Sequence, residues 1–168
     1  MRDELQYAGE FDLLECKLHT VKSRTVDLLK EVLEIDIYED ILKGGMTGTV
    51  IIADTHSLIT SLPITGEEGL SIKIRTPGFN DEKSSLDFTG ERMFVINAIT
   101  MRAELSQGSQ VYALSFVSQE LLIANRITIS KSYTDNISAI VEDILSSEQY
   151  IGTKKELFIE PTQGVRKV

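Results

Sequence analysis

Cysteine, histidine, proline and basic residues are all scarce in this chain of 168 residues, and each shortage excludes something. A single cysteine, Cys16, cannot close an internal disulfide, so the fold has to rest on packing or on subunit contacts. With only His19 and His56 beside it, Cys16 supplies half of a tetrahedral metal set and no second pair. Three prolines, no low-complexity stretch and no repeated period leave no segment that reads as a disordered linker. No apolar run approaches the ~18 to 20 residues that span a bilayer, and MRDELQYAGE lacks the basic-then-apolar order of a signal peptide. Nothing in the sequence predicts secretion or a membrane.

Lysine and arginine number 17 against 26 acids, a formal net charge of -9. Such a surface is not built to neutralise phosphates, because nucleic-acid affinity comes from clustered cations that displace counterions. The imbalance is concentrated in the first half. Residues 1–84 carry 16 acids and 9 bases, a net of -7, while residues 85–168 carry 10 and 8, a net of -2. If a chain of this kind meets DNA, it is expected to let it pass rather than to grip it.

Most of the remaining pattern is strand. FDLLECKLHT (11–20) is apolar enough for one, and EVLEIDIY alternates Leu33, Ile35 and Ile37 against Glu34, Asp36 and Tyr38. TVDLLK before it fits either an extension of that strand or a helical turn. TGTVIIAD, with β-branched Val50, Ile51 and Ile52, is the next strand. SLPITGEEGL follows, where Pro63 fixes its own φ and Gly66 and Gly69 can take positive φ, so a reversal into LSIKIRT is expected. In that strand Leu70, Ile72 and Ile74 face a core while Ser71, Lys73 and Arg75 face water. Pro77-Gly78 ends it, and NDEKSSLD reads as a polar loop.

ERMFVINAITMRAEL (91–105) and QVYALSFVSQEL (110–121), joined by SQGS, predict a long antiparallel hairpin with Gly108 in its turn. Both faces are rich in apolar residues, with Met93, Val95, Ile99 and Met101 on one and Phe94, Ile96 and Ala98 on the other. A second layer or a second subunit should therefore cover each face. SQELLIAN suggests a short helix and RITISKS a strand. In YTDNISAIVEDILSSEQ, Ile137, Ile140, Val141, Ile144 and Leu145 form one helical stripe, with Thr134 or Asp135 placed to cap it. KKELFIEPTQGVRKV reads as another strand and a turn. The fold class is mainly β with one or two helices (α+β), divided as residues 1–130 and residues 131–168.

The candidate chemistry is thin. ADTHSL places Asp54, His56 and Ser57 in a row, yet relay members converge through tertiary structure, and consecutive side chains diverge. Asp54 is read instead as turning or capping the end of its strand. LKGGMTGT offers glycines without the Lys-Ser or Lys-Thr of a phosphate loop, so they are assigned to a turn. Glu39-Asp40 and Glu67-Glu68 are paired acids, and acid-base work requires burial or crowding to split their pKa values. Both pairs are expected to be solvated. No catalytic, cofactor-binding or metal-ligating residue is assigned, no cofactor is expected, and the chain is read as a non-enzyme.

The elements IDIYEDILKGGMTGTVIIAD, LPITGEE and LSIKIRTP, in that order, resemble the N-terminal region of baseplate hub proteins of T4-like contractile-tailed bacteriophages, including the cyanophage type. A strand ending in Ile-Tyr-Glu, one ending in Asp, a Leu-Pro-Ile-x-Gly-Glu turn and a strand closing in Thr-Pro stand at 35–38, 47–54, 62–67 and 70–77. The later hairpin, short helix, strand and amphipathic helix continue the likeness over most of the chain. The resemblance implies an antiparallel β-barrel tube domain and the N-terminal part of a longer protein, whose pattern stops at Val168. It also implies a homotrimer with two similar domains per subunit, giving a pseudo-sixfold ring between the tail tube protein and the central spike protein. The location implied is the virion tail baseplate, after synthesis in the host bacterial cytoplasm, with phage DNA only as passing cargo and no membrane partner. The alternative expectation is a β-rich module that binds a protein or carbohydrate.

Overall fold

The computed structural model describes residues 7, 9–62, 64–78, 84–106 and 108–168. The chain divides into two compact units, Met1–Ser118 and Gln119–Val168. Sequence placed the division at 130/131. It falls earlier because the helix that opens the second unit is tied within that unit, Glu120 accepting from Lys155 Nζ at 2.7 Å and from Thr153 Oγ1 at 2.8 Å.

The first unit contains β1 (Asp12–His19), β2 (Thr25–Asp27), β3 (Val32–Tyr38), β4 (Thr47–Asp54), α1 (Leu58–Ser61), β5 (Gly69–Arg75), β6 (Ser85–Phe88), β7 (Phe94–Ser106) and β8 (Ser109–Ser118). The strands form one antiparallel sheet in the order β2-β1-β5-β7-β8-β4-β3, with β6 paired to β5. Over the described residues the chain is 41% strand and 16% helix, which makes it mainly β. No closed barrel ladder is present among them.

The two outermost strands of this sheet, β2 and β3, are consecutive in the chain. At one border Leu28 N donates to Cys16 O of β1 at 2.8 Å; at the other Ala53 N of β4 donates to Glu31 O at 2.8 Å. One segment, residues 25–38, thus serves both edges of the sheet. Leu28, wholly buried, anchors the bend between them.

The core is the face that period-two patterning predicts. Cys16 stands opposite Ile72 and Leu18 opposite Leu70 across β1 and β5, and all four are essentially inaccessible. Phe94 ties the middle together, its ring centroid 4.7 Å from Phe88 and 4.5 Å from Phe116, within the range of favourable tilted aromatic pairs. Gly48 of β4 belongs to this packing and not to a turn. A Cβ there would collide with the Asp36 carbonyl oxygen and the Phe116 ring, so only glycine lets β3 and that ring close on β4.

Several expectations require correction. β4 and β5 are not hairpin partners, since β8 and β7 stand between them. Both flanks of β4 are already taken by β3 and β8, so the linking stretch has to cross over the sheet and includes α1, a helical turn that the sequence reading missed. Pro63 lies outside the described residues; Gly66 does take positive φ, 89°, whereas Gly69 does not. The NDEKSSLD loop is in part strand β6, where Asp87 stands opposite Lys73 and Phe88 opposite Ile72; residues 79–83 lie outside the described residues. A bulge at Leu33 breaks the alternation of β3 and turns that side chain outward, 62% exposed.

The β7–β8 hairpin forms, with Gly108 at φ 88°. β8 is buried on both faces, from Tyr112 to Leu114 and again from Phe116 to Ser118. β7 is not. Past Ile96 its register shifts repeatedly, Met101 adopts φ 52°, and Met101 and Leu105 are each 65% exposed.

The second unit holds α2 (Gln119–Ala124), β9 (Thr134–Asp135), α3 (Ile137–Ser146) and β10 (Arg166–Lys167), with β9 and β10 paired antiparallel. Asn136, rather than Thr134 or Asp135, caps α3, its side chain accepting from Ala139 N at 2.8 Å. RITISKS and KKELFIE are not strands. Neither has a ladder partner among the described residues, and Phe158 is 87% exposed. No helix among the described residues is long and apolar enough to cross a membrane.

Candidate functional site

Four polar groupings in the first unit contain the acids, histidines and serine that the sequence offered for chemistry. The first is Asp54-Thr55-His56-Ser57, where β4 gives way to α1. Asp54 is 1% exposed; its Oδ2 accepts from Leu58 N at 2.7 Å and from the Tyr112 hydroxyl at 3.1 Å, and its Oδ1 accepts from His56 N at 2.9 Å. It turns the chain into the helix, as read from sequence. Burial, and then the Asp54 charge, push the Tyr112 phenol far above its ordinary range. The His56 ring points elsewhere, with Nδ1 2.7 Å from Glu31 Oε1 and the side chain 72% exposed. Asp54 therefore orients the backbone of His56, and the imidazole pairs with Glu31 instead.

The second grouping lies on the outer face of β1 and β5, and sequence reasoning missed it. Ser71 Oγ donates to Glu15 Oε1 at 2.7 Å and lies 3.0 Å from His19 Nε2, while Thr25 Oγ1 lies 3.3 Å from His19 Nδ1. A serine, a histidine and a carboxylate are thus together, but wired in the wrong order. In a nucleophilic triad the imidazole takes the serine proton and the acid orients the far ring nitrogen. Here the Ser71 hydroxyl donates to the acid and not to the imidazole, which leaves His19 Nε2 to donate to Ser71. The Lys17 ammonium, then the Ser71 hydroxyl, hold Glu15 below its ordinary carboxyl range.

The same face continues as a ladder of ion pairs, Arg75 with Asp12 at 2.8 Å and Lys73 with Asp87 at 2.7 Å. The supposed wet face of β5 is therefore charge-paired, and Ser71 on it is only 1% exposed. Cys16 points to the opposite side of β1, into the core, where burial pushes its thiol up to about 12. A neutral thiol on one face and His19 on the other cannot share a metal ion. Among the described residues no group of three His, Cys, Asp or Glu side chains is arranged to hold one.

The third grouping is the turn before β5. Glu67 is exposed as expected, but Glu68 is 2% exposed, which overturns the expectation that both are solvated. Glu68 Oε1 accepts from Thr65 N at 2.8 Å and Thr65 Oγ1 at 3.0 Å; Oε2 accepts from Gly66 N at 2.9 Å and Glu67 N at 3.2 Å. Burial alone would raise this carboxyl; the Thr65 and Gly66 donors outweigh it and hold the group below its ordinary range. Its main-chain oxygen also accepts from Ile96 N of β7 at 2.9 Å. The signal was present in T-G-E-E: a carboxylate two or three residues after a Thr-Gly pair can fold back onto their amides.

The fourth is the loop joining β3 and β4. Asp40 shapes it, Oδ1 accepting from Leu42 N at 2.9 Å and the main-chain oxygen from Lys43 N at 2.9 Å. Glu39 and Asp40 are exposed, as expected. Ile41 and Leu42 at its tip are 98% and 90% exposed.

Clefts border three of the four groupings, beside Lys73 and Asp87, beside Thr65 and Glu68, and beside Glu39 and Asp40, while the contacts within the groupings serve the fold. They hold turns, pair charges, or place apolar side chains in water. Compared with models of known protein families and with curated protein sequences, the chain matches none.

Proposed function

We propose that this protein is a non-enzymatic structural component of a contractile phage tail baseplate hub. It forms a ring that adapts the tail tube to the central spike and leaves a bore for DNA. The observation that carries this reading is the β7–β8 hairpin. β8 is buried on both faces, whereas β7 beyond Ile96 holds Met101 and Leu105 in water. Large apolar side chains on an extended hairpin mark a surface that a neighbouring chain covers. A barrel-type wall belongs to the same reading, since one segment, residues 25–38, hydrogen-bonds to both borders of the sheet.

The charge pattern agrees. A net charge of -9 disfavours adhesion of DNA to the wall of a bore. Measuring the mass of the assembled particle and imaging it at low resolution tests the proposal. A trimeric ring with a central opening is the expected result; a chain that stays monomeric both alone and with tail tube and spike proteins would refute it.

A further inference from the structure

The loop between β3 and β4 is an ordered knob. The Asp40 turn sets Ile41 and Leu42 side by side in water, with acidic Glu39 and Asp40 directly before them and Lys43, 3.8 Å from Asp40 Oδ2, directly after, so two acids outweigh one cation on the knob. Single exposed aliphatic side chains are ordinary on protein surfaces. Two adjacent ones, each at least 90% exposed at the tip of a hydrogen-bonded turn, form an apolar projection without a seat.

A seat of matching chemistry exists in the same unit. A cavity of about 240 Å³ opens between the β1–β2 turn and the connection that follows α1, with Leu62, Val21, Lys22 and Arg24 among its lining residues. Leu62 is buried in it, and Val21 is 62% exposed. An apolar void of ~150 Å³ accepts a benzene, so this one has room for a leucine-sized side chain. Lys22 and Arg24 are exposed and form no ion pair with any described residue. Glu68 also borders the cavity and stays ionised, but it is buried while Lys22 and Arg24 are exposed, so two cations face one carboxylate and the mouth is basic.

Knob and seat do not meet within one chain, since Ile41 and Leu42 stay 98% and 90% exposed. The knob leads into the first residue of β4, and α1 and Leu62 follow its last. A strand of eight residues, rising ~3.3 Å each, holds its ends more than about 20 Å apart. We infer that the Ile41–Leu42 knob of one copy seats against Val21 and Leu62 of the next, Glu39 and Asp40 meeting Lys22 and Arg24. Such a contact joins unlike surfaces, so repeating it closes a ring or runs on as an open filament. Closure, and only closure, rests on the hub reading.

Cross-linking between singly substituted copies tests it. Cys16 is buried and silent, so Ile41→Cys copies mixed with Val21→Cys copies give a 41–21 disulfide dimer, and neither alone does. Leu42→Asp weakens self-association at least about tenfold. Arg24→Glu does the same, and Glu39→Lys on the partner copy, which leaves the Asp40 turn intact, restores it. Absence of the mixed dimer, while the unsubstituted protein still forms rings, overturns the contact alone. A mixed dimer whose doubly substituted form, carrying both cysteines, grows into open ladders upholds the contact and overturns the ring. Absence of both overturns both, and uptake of an unrelated ligand by the cavity in a monomer overturns the contact.

Discussion

Replacing Glu68 by glutamine keeps the size of the side chain and removes one charge and one acceptor. Whichever way the amide turns, its NH2 meets one of two donor pairs, Thr65 N with Thr65 Oγ1, or Gly66 N with Glu67 N. Two donors then lose their acceptor. A buried donor left unmade costs about 1–3 kcal/mol, and Thr65 and Glu67 are exposed enough for water to serve in part, so the low end applies. The expected loss is about 2–3 kcal/mol in total. With a urea m-value of about 2 kcal/mol/M, the midpoint falls by about 1–1.5 M. The chain has no tryptophan, so far-UV circular dichroism is the natural probe. pH adds an independent check. The folded pKa of Glu68 lies below its ordinary 4.5, so its contribution is fully present above that value and is lost as pH falls through the folded pKa. The gap between native protein and Glu68→Gln is therefore constant near neutrality and narrows in acid. Glu67→Ala, at an exposed position beside it, shifts the midpoint by less than about 0.3 M. A Glu68→Gln protein as stable as the native one, or a gap that widens in acid, would refute the assignment.

Gly48→Ala drives a methyl group into the Asp36 carbonyl and the Phe116 ring, and should cost about 3 kcal/mol, at the upper end for overpacking; thermal denaturation reads it directly. Ile72→Asp puts a charge at a fully buried position opposite Cys16 and Phe88, so the protein should not fold, and recovery of soluble material with a native spectrum would contradict the core assignment. Cys16, wholly buried with its thiol pushed up to about 12, should be inert to aromatic disulfide reagents in native buffer and react fully in denaturant; fast native labelling would show that β1 opens.

What could be read from the sequence follows the range of the forces involved. β3 and β5 were visible because alternation of apolar and polar side chains is written into each strand by itself, and β1, β4 and the β7–β8 pair because their apolar and β-branched runs are. Their order was not, since nothing local in TGTVIIAD indicates that β8 rather than β5 lies beside it. β6 was hidden because its inward residue, Phe88, follows a polar run and its outward Asp87 finds a charge only when Lys73 arrives from β5. RITISKS and KKELFIE show the opposite error. Their β-branched and aromatic residues favour extended backbone, but a strand needs a partner to exist. The Ser71–Glu15–His19 grouping joins residues 52 and 56 positions apart and could not be found from spacing.

The stretch around Thr65–Glu68 shows how one carboxylate can serve both fold and surface. β5 pairs with β1, β6 and β7, and its contact with β7 is short, Gly69 opposite Val95 and Leu70 opposite Phe94. A slip of one residue there would exchange Leu70 and Ile72 for Ser71 and Lys73 on the core face. The Ile96 N to Glu68 O bond comes just before this pairing, so the turn that Glu68 closes also sets the position at which β5 enters the sheet. The same turn lines the cavity beside Lys22 and Arg24. Glu68 stays ionised but is buried under its four donors, whereas Lys22 and Arg24 reach solvent, so the two cations outweigh one carboxylate at the mouth and an acidic knob is attracted there rather than repelled. A carboxylate in that place without the turn around it would undo both effects at once.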